Sequence, residues 1–315
     1  MGIVFRRIGF IFLAALFITS LLASMNGCAG RQPIPKQRAR AIDLDRKGAE
    51  SFHRAQYEKA HGFFQKALQV NESIDNREGV ALSLNNLGTV YQATGGYVRA
   101  LEFYQRSLAI HSEIGNEEGQ SLNLNNIGSV TLSLGKPQAA LEFFQKSLAI
   151  EEKKGNVKAQ AIRRNNIGLA YRALGQNDRA LEYYREAKKL NEKIDHFPGV
   201  ADNLNNLGAL YESQKDWPQA LEAFQGALAM DKKIENSAGI ATDLANLGRL
   251  YEHIGEKEKA LDHYLRAWKV NEYLGLKERI LLDLSKIASL YEALGKPEEA
   301  GKFHQRAQEL TSSPK

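Results

Sequence analysis

"LNNLGTVYQATGGYVRALEFYQRSLAI" occupies Leu84–Ile110, and "LNNIGSVTLSLGKPQAALEFFQKSLAI" occupies Leu124–Ile150. The second restates most of the first, 40 residues on. The tetrapeptide Asn85–Gly88 recurs as Asn125–Gly128, Asn165–Gly168 and Asn205–Gly208, continues as "ANLG" (Ala245–Gly248) and decays to "SKIA" (Ser285–Ala288). One step back lies "DRKG" (Asp45–Gly48), a worn first copy. Units that keep register without an insertion must each stack on the last in the same way.

Within a unit the apolar residues fall at helical spacing. In the second unit they are Leu84, Leu87, Gly88 and Tyr91, then Ala100, Leu101, Tyr104 and Leu108. Gly95, Gly135, Gly175, Gly255 and Gly295 stand where a left-handed residue would end the first helix. Pro137 and Pro297 follow at a first helical turn, where a missing N–H is tolerated. Asn76, Asn116, Asn156 and Asn236 are placed to cap the helix that opens the next unit. The unit therefore reads helix, tight turn, helix, loop. Thr131, Arg164 and His304 depart from the pattern, and Lys47 and Ser51 stand at core places of the worn first copy.

These residues resemble the tetratricopeptide repeat. Its sequence of an apolar residue and Gly, then Tyr, then Ala with an aromatic four places later, appears as Leu87-Gly88, Tyr91, Ala100 and Tyr104. It reappears as Leu207-Gly208, Tyr211, Ala220 and Phe224, and as Leu247-Gly248, Tyr251, Ala260 and Tyr264. The long step is similar to that in kinesin light chain and in bacterial peptide-sensing regulators. The resemblance implies an all-α fold over 41–311, a right-handed superhelical solenoid of about seven antiparallel helix pairs. Residues 312–315 are a tail.

The second asparagine of each unit lies two places before the packing glycine, and at 100° per residue it points away from the apolar face. The resemblance implies that Asn86, Asn126, Asn166, Asn206 and Asn246 line a concave groove and hold the backbone of an extended peptide. An amide donates and accepts at once, so it can match a peptide group whatever the neighbouring side chains are. The competing reading is a structural ladder between neighbouring units. Arg172, six places after Asn166, is expected to meet a ligand carboxylate, whereas Glu212 and Glu252 at equivalent places would favour a basic residue.

The formal net charge of +5 invites a nucleic-acid reading, but its location removes most of the support. Residues 1–40 hold Arg6, Arg7, Arg31, Lys36, Arg38 and Arg40 with no acid, which leaves 36 basic against 37 acidic residues in 41–315. "MGIVFRRIGFIFLAALFITSLLASMNGCAG" has a basic start, an apolar run from Ile8 to Met25, and small Gly27 before the only cysteine, Cys28. It resembles the leader of bacterial lipoproteins, which implies that residues 1–27 are a signal peptide and that Cys28 is lipidated. An uncleaved membrane anchor is the alternative. Residues 28–40 read as a polar tether whose Pro33 and Pro35 exclude helix.

Catalytic chemistry finds little foothold. The seven histidines form no metal-ligand spacing, and a nucleophile elbow and a phosphate-binding glycine loop are both missing. Glu102, Glu142, Glu182 and Glu222 recur once per unit and mark a solvated face. We therefore expect no catalytic site, cofactor, metal or small-molecule substrate. The expected role is a protein-interaction scaffold of the bacterial envelope, lipid-anchored at the outer membrane and facing the periplasm, with a protein or peptide partner. A peptide-sensing regulator and a structural spacer are the other readings.

Overall fold

A computed structural model describes residues 35–312, and the expected leader and lipidated cysteine lie outside them. Every secondary-structure element among the described residues is a helix. These are α1 (Lys36–His53), α2 (Tyr57–Ser73), α3 (Arg77–Ala93), α4 (Tyr97–Glu113), α5 (Glu117–Ser133), α6 (Pro137–Lys154) and α7 (Val157–Ala173). Then come α8 (Asn177–Lys193), α9 (Phe197–Ser213), α10 (Trp217–Lys233), α11 (Ser237–Ile254), α12 (Lys257–Tyr273), α13 (Lys277–Ala293) and α14 (Pro297–Ser312). The fold is all-α, and its helices are packed in consecutive pairs.

From Tyr57 onward each helix starts 20 residues after the one before it, so the 40-residue unit is built from two equal halves. One backbone device sets that half-step. A residue with positive φ recurs every 20 positions, from Ala55 (φ 55°) to Gly295 (φ 71°). The N–H one residue further on reaches back to a carbonyl in the last turn, as in Gly96 N to Tyr91 O at 2.7 Å and Asn116 N to His111 O at 2.9 Å. This is the Schellman closure, and it satisfies carbonyls that the helix end leaves open. Sequence reading found five of these sites through their glycines. It missed Gly115, Gly155 and Gly275, and it missed Ala55, Asp75, Asp195, Lys215 and Glu235, which take the same conformation without being glycine. Asn116, Asn156 and Asn236 do cap the next helix, accepting from Gly119 N, Ala159 N and Gly239 N. Asn76 does not; its amide donates to Asn71 Oδ1 at 2.7 Å instead.

The chain forms two compact units divided at Gly155/Asn156. In the first, α1/α2, α3/α4 and α5/α6 pair, and the second helix of each pair packs on the first helix of the next. In the second, α7/α8, α9/α10, α11/α12 and α13/α14 do the same. The core sits in the seams: Ala100 and Tyr104 of α4 are buried against Ile127 and Val130 of α5. Likewise Ala260, Leu261 and Tyr264 of α12 pack on Ile287 and Leu290 of α13. Half of each seam thus comes from the neighbouring repeat, so a single repeat cannot bury its own apolar face.

Several local expectations change. Residues 36–40, assigned to an extended tether, are the first turns of α1, because Pro35 can cap a helix although it cannot sit inside one. Lys47 is half exposed and paired with Asp43 at 2.7 Å, so it is no core residue. Arg164, where leucine recurs, lies mostly covered and meets Glu186 at 3.1 Å. The four recurrent glutamates from Glu102 to Glu222 are exposed, as the pattern implied.

The packing glycines carry the pair geometry. A methyl group at Gly168 would lie 2.6 Å from the Tyr184 ring, whereas one at Gly62 would meet nothing within 4 Å. Tyr184 is fully buried and cannot retreat. Gly168→Ala should therefore lower stability by about 1–3 kcal/mol through overpacking. Gly62→Ala, in an unobstructed helix interior, should raise it by roughly 1 kcal/mol. Urea melts of the two variants should shift in opposite directions; parallel shifts would remove the ring contact as the controlling constraint.

Candidate ligand-binding wall and its polar seam

The first helices of successive pairs lie side by side, α1 with α3 and α7 with α9. Their shared surface carries the paired asparagines, and the pairs are joined to one another. In the first unit Asn85 Oδ1 accepts from Asn126 Nδ2 at 3.0 Å and from Asn123 Nδ2 at 3.2 Å. In the second, Asn165 Oδ1 accepts from Asn206 Nδ2 at 2.8 Å and Asn203 Nδ2 at 2.9 Å. Asn205 Oδ1 accepts from Asn246 Nδ2 at 2.9 Å. Asp45 stands where the first asparagine would be and accepts from Asn86 at 3.3 Å. The asparagine pair is therefore a clasp: the first member's carbonyl receives the second member's amide from the following repeat.

This places the five expected groove residues more deeply than helical projection did. Asn86 and Asn166 are buried, while Asn126, Asn206 and Asn246 are half-buried. In Asn86, Asn126, Asn206 and Asn246 the clasp bond uses one of the two amide hydrogens. Asn246 is further engaged, since its Oδ1 accepts from Arg249 Nη2 at 3.2 Å. Arg172 lies on the wall and lines a cleft of about 300 Å³ with Ala209, Glu212, Ser213, Lys215, Trp217 and His253. The expectation that Glu212 and Glu252 attract a basic ligand residue is corrected. Arg249 already holds Glu212 at 2.9 Å, and Lys286 holds Glu252 at 3.0 Å. The chain's own cations have neutralised both.

Sequence reading missed a second polar row altogether. The end of each second helix buries a polar residue against another on the next first helix, 12 places on. The pairs are Asn71 with Ser83, Asn191 with Asn203, Asp231 with Asp243, and Asn271 with Asp283, all buried. Asn191 donates to Asn203 at 2.8 Å, and Asn271 donates to Asp283 at 2.7 Å. The signal was available: polar residues recur at 71, 111, 151, 191, 231 and 271. Their identity varies, so only a search for position rather than residue type would have found it.

Burial shifts the carboxylates in these rows. Desolvation pushes Asp45 up to about 7, against the opposing hydrogen bonds from Asn86 and Ser83. Asp283 rises to about 6 for the same reason, opposed by Asn271 and Arg279. Asp243 and Asp231 are both raised, first by burial, and for Asp243 the adjacent Asp231 charge adds to it. Asp243 Oδ2 is buried with no hydrogen-bond partner, and a proton retained by one carboxyl supplies the missing donor.

Three groups of histidine, cysteine or carboxylate side chains close enough for a metal ion do not occur among the described residues. No described helix is long and apolar enough to cross a membrane.

The family model for the tetratricopeptide repeat matches residues 45–113, 119–193 and 199–272. No curated protein matches the chain. Among solved structures it is similar to BtubC from P. vanneervenii, with 21% identity, 77% of this chain and 93% of that chain covered, and a TM-score of 0.55. It is similar to the nearly identical TPR-like repeats of a Podosopora anserina putative kinesin light chain, with 18% identity, 64% and 99% covered, and a TM-score of 0.52. It is also similar to the Rap conjugation gene regulator of plasmid pLS20 in complex with the Phr* peptide, with 19% identity, 93% and 83% covered, and a TM-score of 0.62. At such identities the likeness is one of fold.

The facing carboxyls of Asp231 and Asp243 set a pH dependence. A folded-state pKa above the ordinary value means that the folded chain holds a proton the unfolded chain has released. Stability therefore falls as pH rises from about 4 through the folded value. Asp243→Asn keeps an acceptor for Asn205 and gives Asp231 a permanent donor. The variant should be more stable than the parent at pH 8 and should lose part of that decline in a series of melts from pH 5 to 8.5. An unchanged pH profile would show that the pair shares no proton.

Proposed function

This chain belongs to the tetratricopeptide repeat family, and from that premise we propose that it is a non-enzymatic scaffold of the bacterial cell envelope that binds an extended segment of another protein. The observation that carries this reading is the repeated amide row on the first-helix wall. Asn126 in the first unit, and Asn206 and Asn246 one repeat apart in the second, stand half-buried with peptide-like donors and acceptors, and Arg172 lies on the wall of the second unit. Asn86 in the first unit and Asn166 in the second hold the same place at deeper positions. Amides in such a row can pair with the N–H and C=O groups of an extended chain, which supplies affinity without demanding particular side chains. The pLS20 regulator was solved with a peptide, and a comparable mode of binding is proposed here for this chain.

The clasp gives a clean test. Asn126→Ala with Asn206→Ala removes the wall amides and two clasp bonds. Asn85→Ala with Asn165→Ala removes those two bonds together with the ones from Asn123 and Asn203, and leaves the wall amides in place. Both double variants should lose stability, about 0.5–1.5 kcal/mol per bond, and the second should lose the more. Only the first should lose partners captured from solubilised envelope. Equal capture by both variants would make the row purely structural.

The proposed location rests on the leader sequence. A basic start, an apolar run and Gly27 before Cys28 support a lipid anchor, with Ala29 after the cysteine favouring the outer membrane by resemblance to bacterial lipoproteins. Mass spectrometry of the mature N-terminus should find residues 1–27 absent and Cys28 lipidated. An intact Met1, or an unmodified Cys28, would replace the lipoprotein reading with an uncleaved anchor.

A further inference from the structure

Each repeat sets one wall residue of its first helix opposite the aromatic ring of its second helix, 12 places on. In most repeats the two match. Tyr104 Oη donates to Gln92 at 2.8 Å, Tyr264 Oη donates to Glu252 at 2.7 Å, and His304 Nε2 lies 3.1 Å from Glu292. Where the ring is Phe144, which has no hydroxyl, the opposite residue is Leu132. Two consecutive repeats break this rule. The buried hydroxyl of Tyr184 has no acceptor for its proton, because the group opposite is Arg172, which can only donate toward the phenol oxygen. In the next repeat Glu212 stands opposite Phe224, which offers its carboxylate nothing.

The two exceptions line the same cleft. Glu212 is 9% exposed and turns to the following repeat, where Arg249 holds it at 2.9 Å and His253 approaches to 3.7 Å. Arg249 is thereby occupied, and it also lies over the Phe224 ring. Glu212 Oε1 is buried and accepts no hydrogen bond. Arg172 forms no salt bridge among the described residues, and Lys215 stands exposed at the rim. Trp217 closes one side, its ring parallel to that of His253 at 6.1 Å. One carboxylate thus faces Arg249, Arg172 and Lys215, so the cleft has an excess of positive charge.

Local mismatches at matched positions are expected where a site serves a ligand rather than the fold. Building on the proposal that an extended segment lies on this wall, we infer that the cleft seats an acidic side chain of that segment, its carboxylate held by Arg172 and Lys215. Glu212 is a positioning residue here: it keeps Arg249 engaged and competes with the incoming carboxylate for Arg172. The structure favours a side-chain carboxylate, because Arg172 and Lys215 both line the cleft and a cationic group would be repelled by both, with Glu212 already paired to Arg249.

The test uses acetylated and amidated decapeptides of alternating alanine and serine, with a single central Glu, Gln or Lys. Blocked ends exclude capture of a terminal carboxylate. The full chain with Trp268→Phe leaves Trp217 as its only tryptophan, so its fluorescence reports occupancy of the cleft. The Glu peptide should bind about fivefold or more tightly than the Gln peptide, and the Lys peptide most weakly. Arg172→Gln gives Tyr184 the acceptor that Gln92 gives Tyr104, so it should raise the melting temperature while abolishing the preference for Glu. Glu212→Gln removes the competing anion and should widen the preference. Equal binding of the three peptides, unaltered by Arg172→Gln, overturns this assignment and leaves the wall reading standing. If none of them binds, and the paired asparagine variants also capture partners equally, both readings fall. A drop in melting temperature for Arg172→Gln would overturn the claim that Arg172 is mismatched to its own repeat.

Discussion

A ring laid on a glycine sets the distance between the helices of each pair. Phe64, Tyr104, Phe144, Tyr184, Phe224 and Tyr264 approach Gly48, Gly88, Gly128, Gly168, Gly208 and Gly248 so closely that a methyl group would have nowhere to go. Interiors at crystal-like density do not absorb an extra carbon without moving something. Moving one helix here would shift the next seam, because the same aromatic residue also packs on the following repeat, as Tyr104 does on Ile127 and Val130. The step from repeat to repeat is therefore held by an atom that is missing.

Apolar packing alone would leave the register along the helix axes soft, since leucine and isoleucine side chains can slide past one another at small cost. The buried polar rows oppose such sliding. Asn191 and Asn203 are each nearly inaccessible, and Asn203 bonds Asn165 in the preceding first helix as well as Asn191. A slip of one residue would strand several buried amides, at roughly 1–3 kcal/mol for each unsatisfied group, whereas the bonds themselves contribute only about 1 kcal/mol net. The network is better understood as specifying alignment than as supplying stability. Where aspartate replaces asparagine, as at Asp231 and Asp243, burial raises both carboxyls and so favours the protonated form that can donate as an amide does.

How much of this was legible depended on whether a residue type or a position was repeated. The glycines, the tyrosines from Tyr91 to Tyr291 and the asparagine pairs repeat as letters, so fold, unit length and helix order could be read directly. The left-handed closure repeats as a position: Lys215 and Glu235 adopt it with nothing in their chemistry to announce it. They do so because the turn is fixed by the helices it joins, and the cost of about 1 kcal/mol is outweighed by packing on either side. The inner polar pairs were hidden for a similar reason, since Asn71 with Ser83 and Asp231 with Asp243 share a place but no residue. The wall amides were seen but projected outward, because a single helix drawn alone has no neighbour whose carbonyl could claim them.

A perfectly periodic wall has a defect as a binding surface. Amides repeated at equal steps would hold an extended chain equally well in several registers, and affinity spread over registers gives little specificity. A defined complex needs at least one place where the repeats differ. Arg172 and Glu212 supply such a difference in two adjacent repeats, at the positions that elsewhere serve the second-helix ring. The fold can accommodate the mismatch because each seam is stabilised mainly by its nearest neighbours, so a local loss does not propagate along the stack. Repetition builds the surface, and its interruption at one cleft is what can tell a partner where to sit.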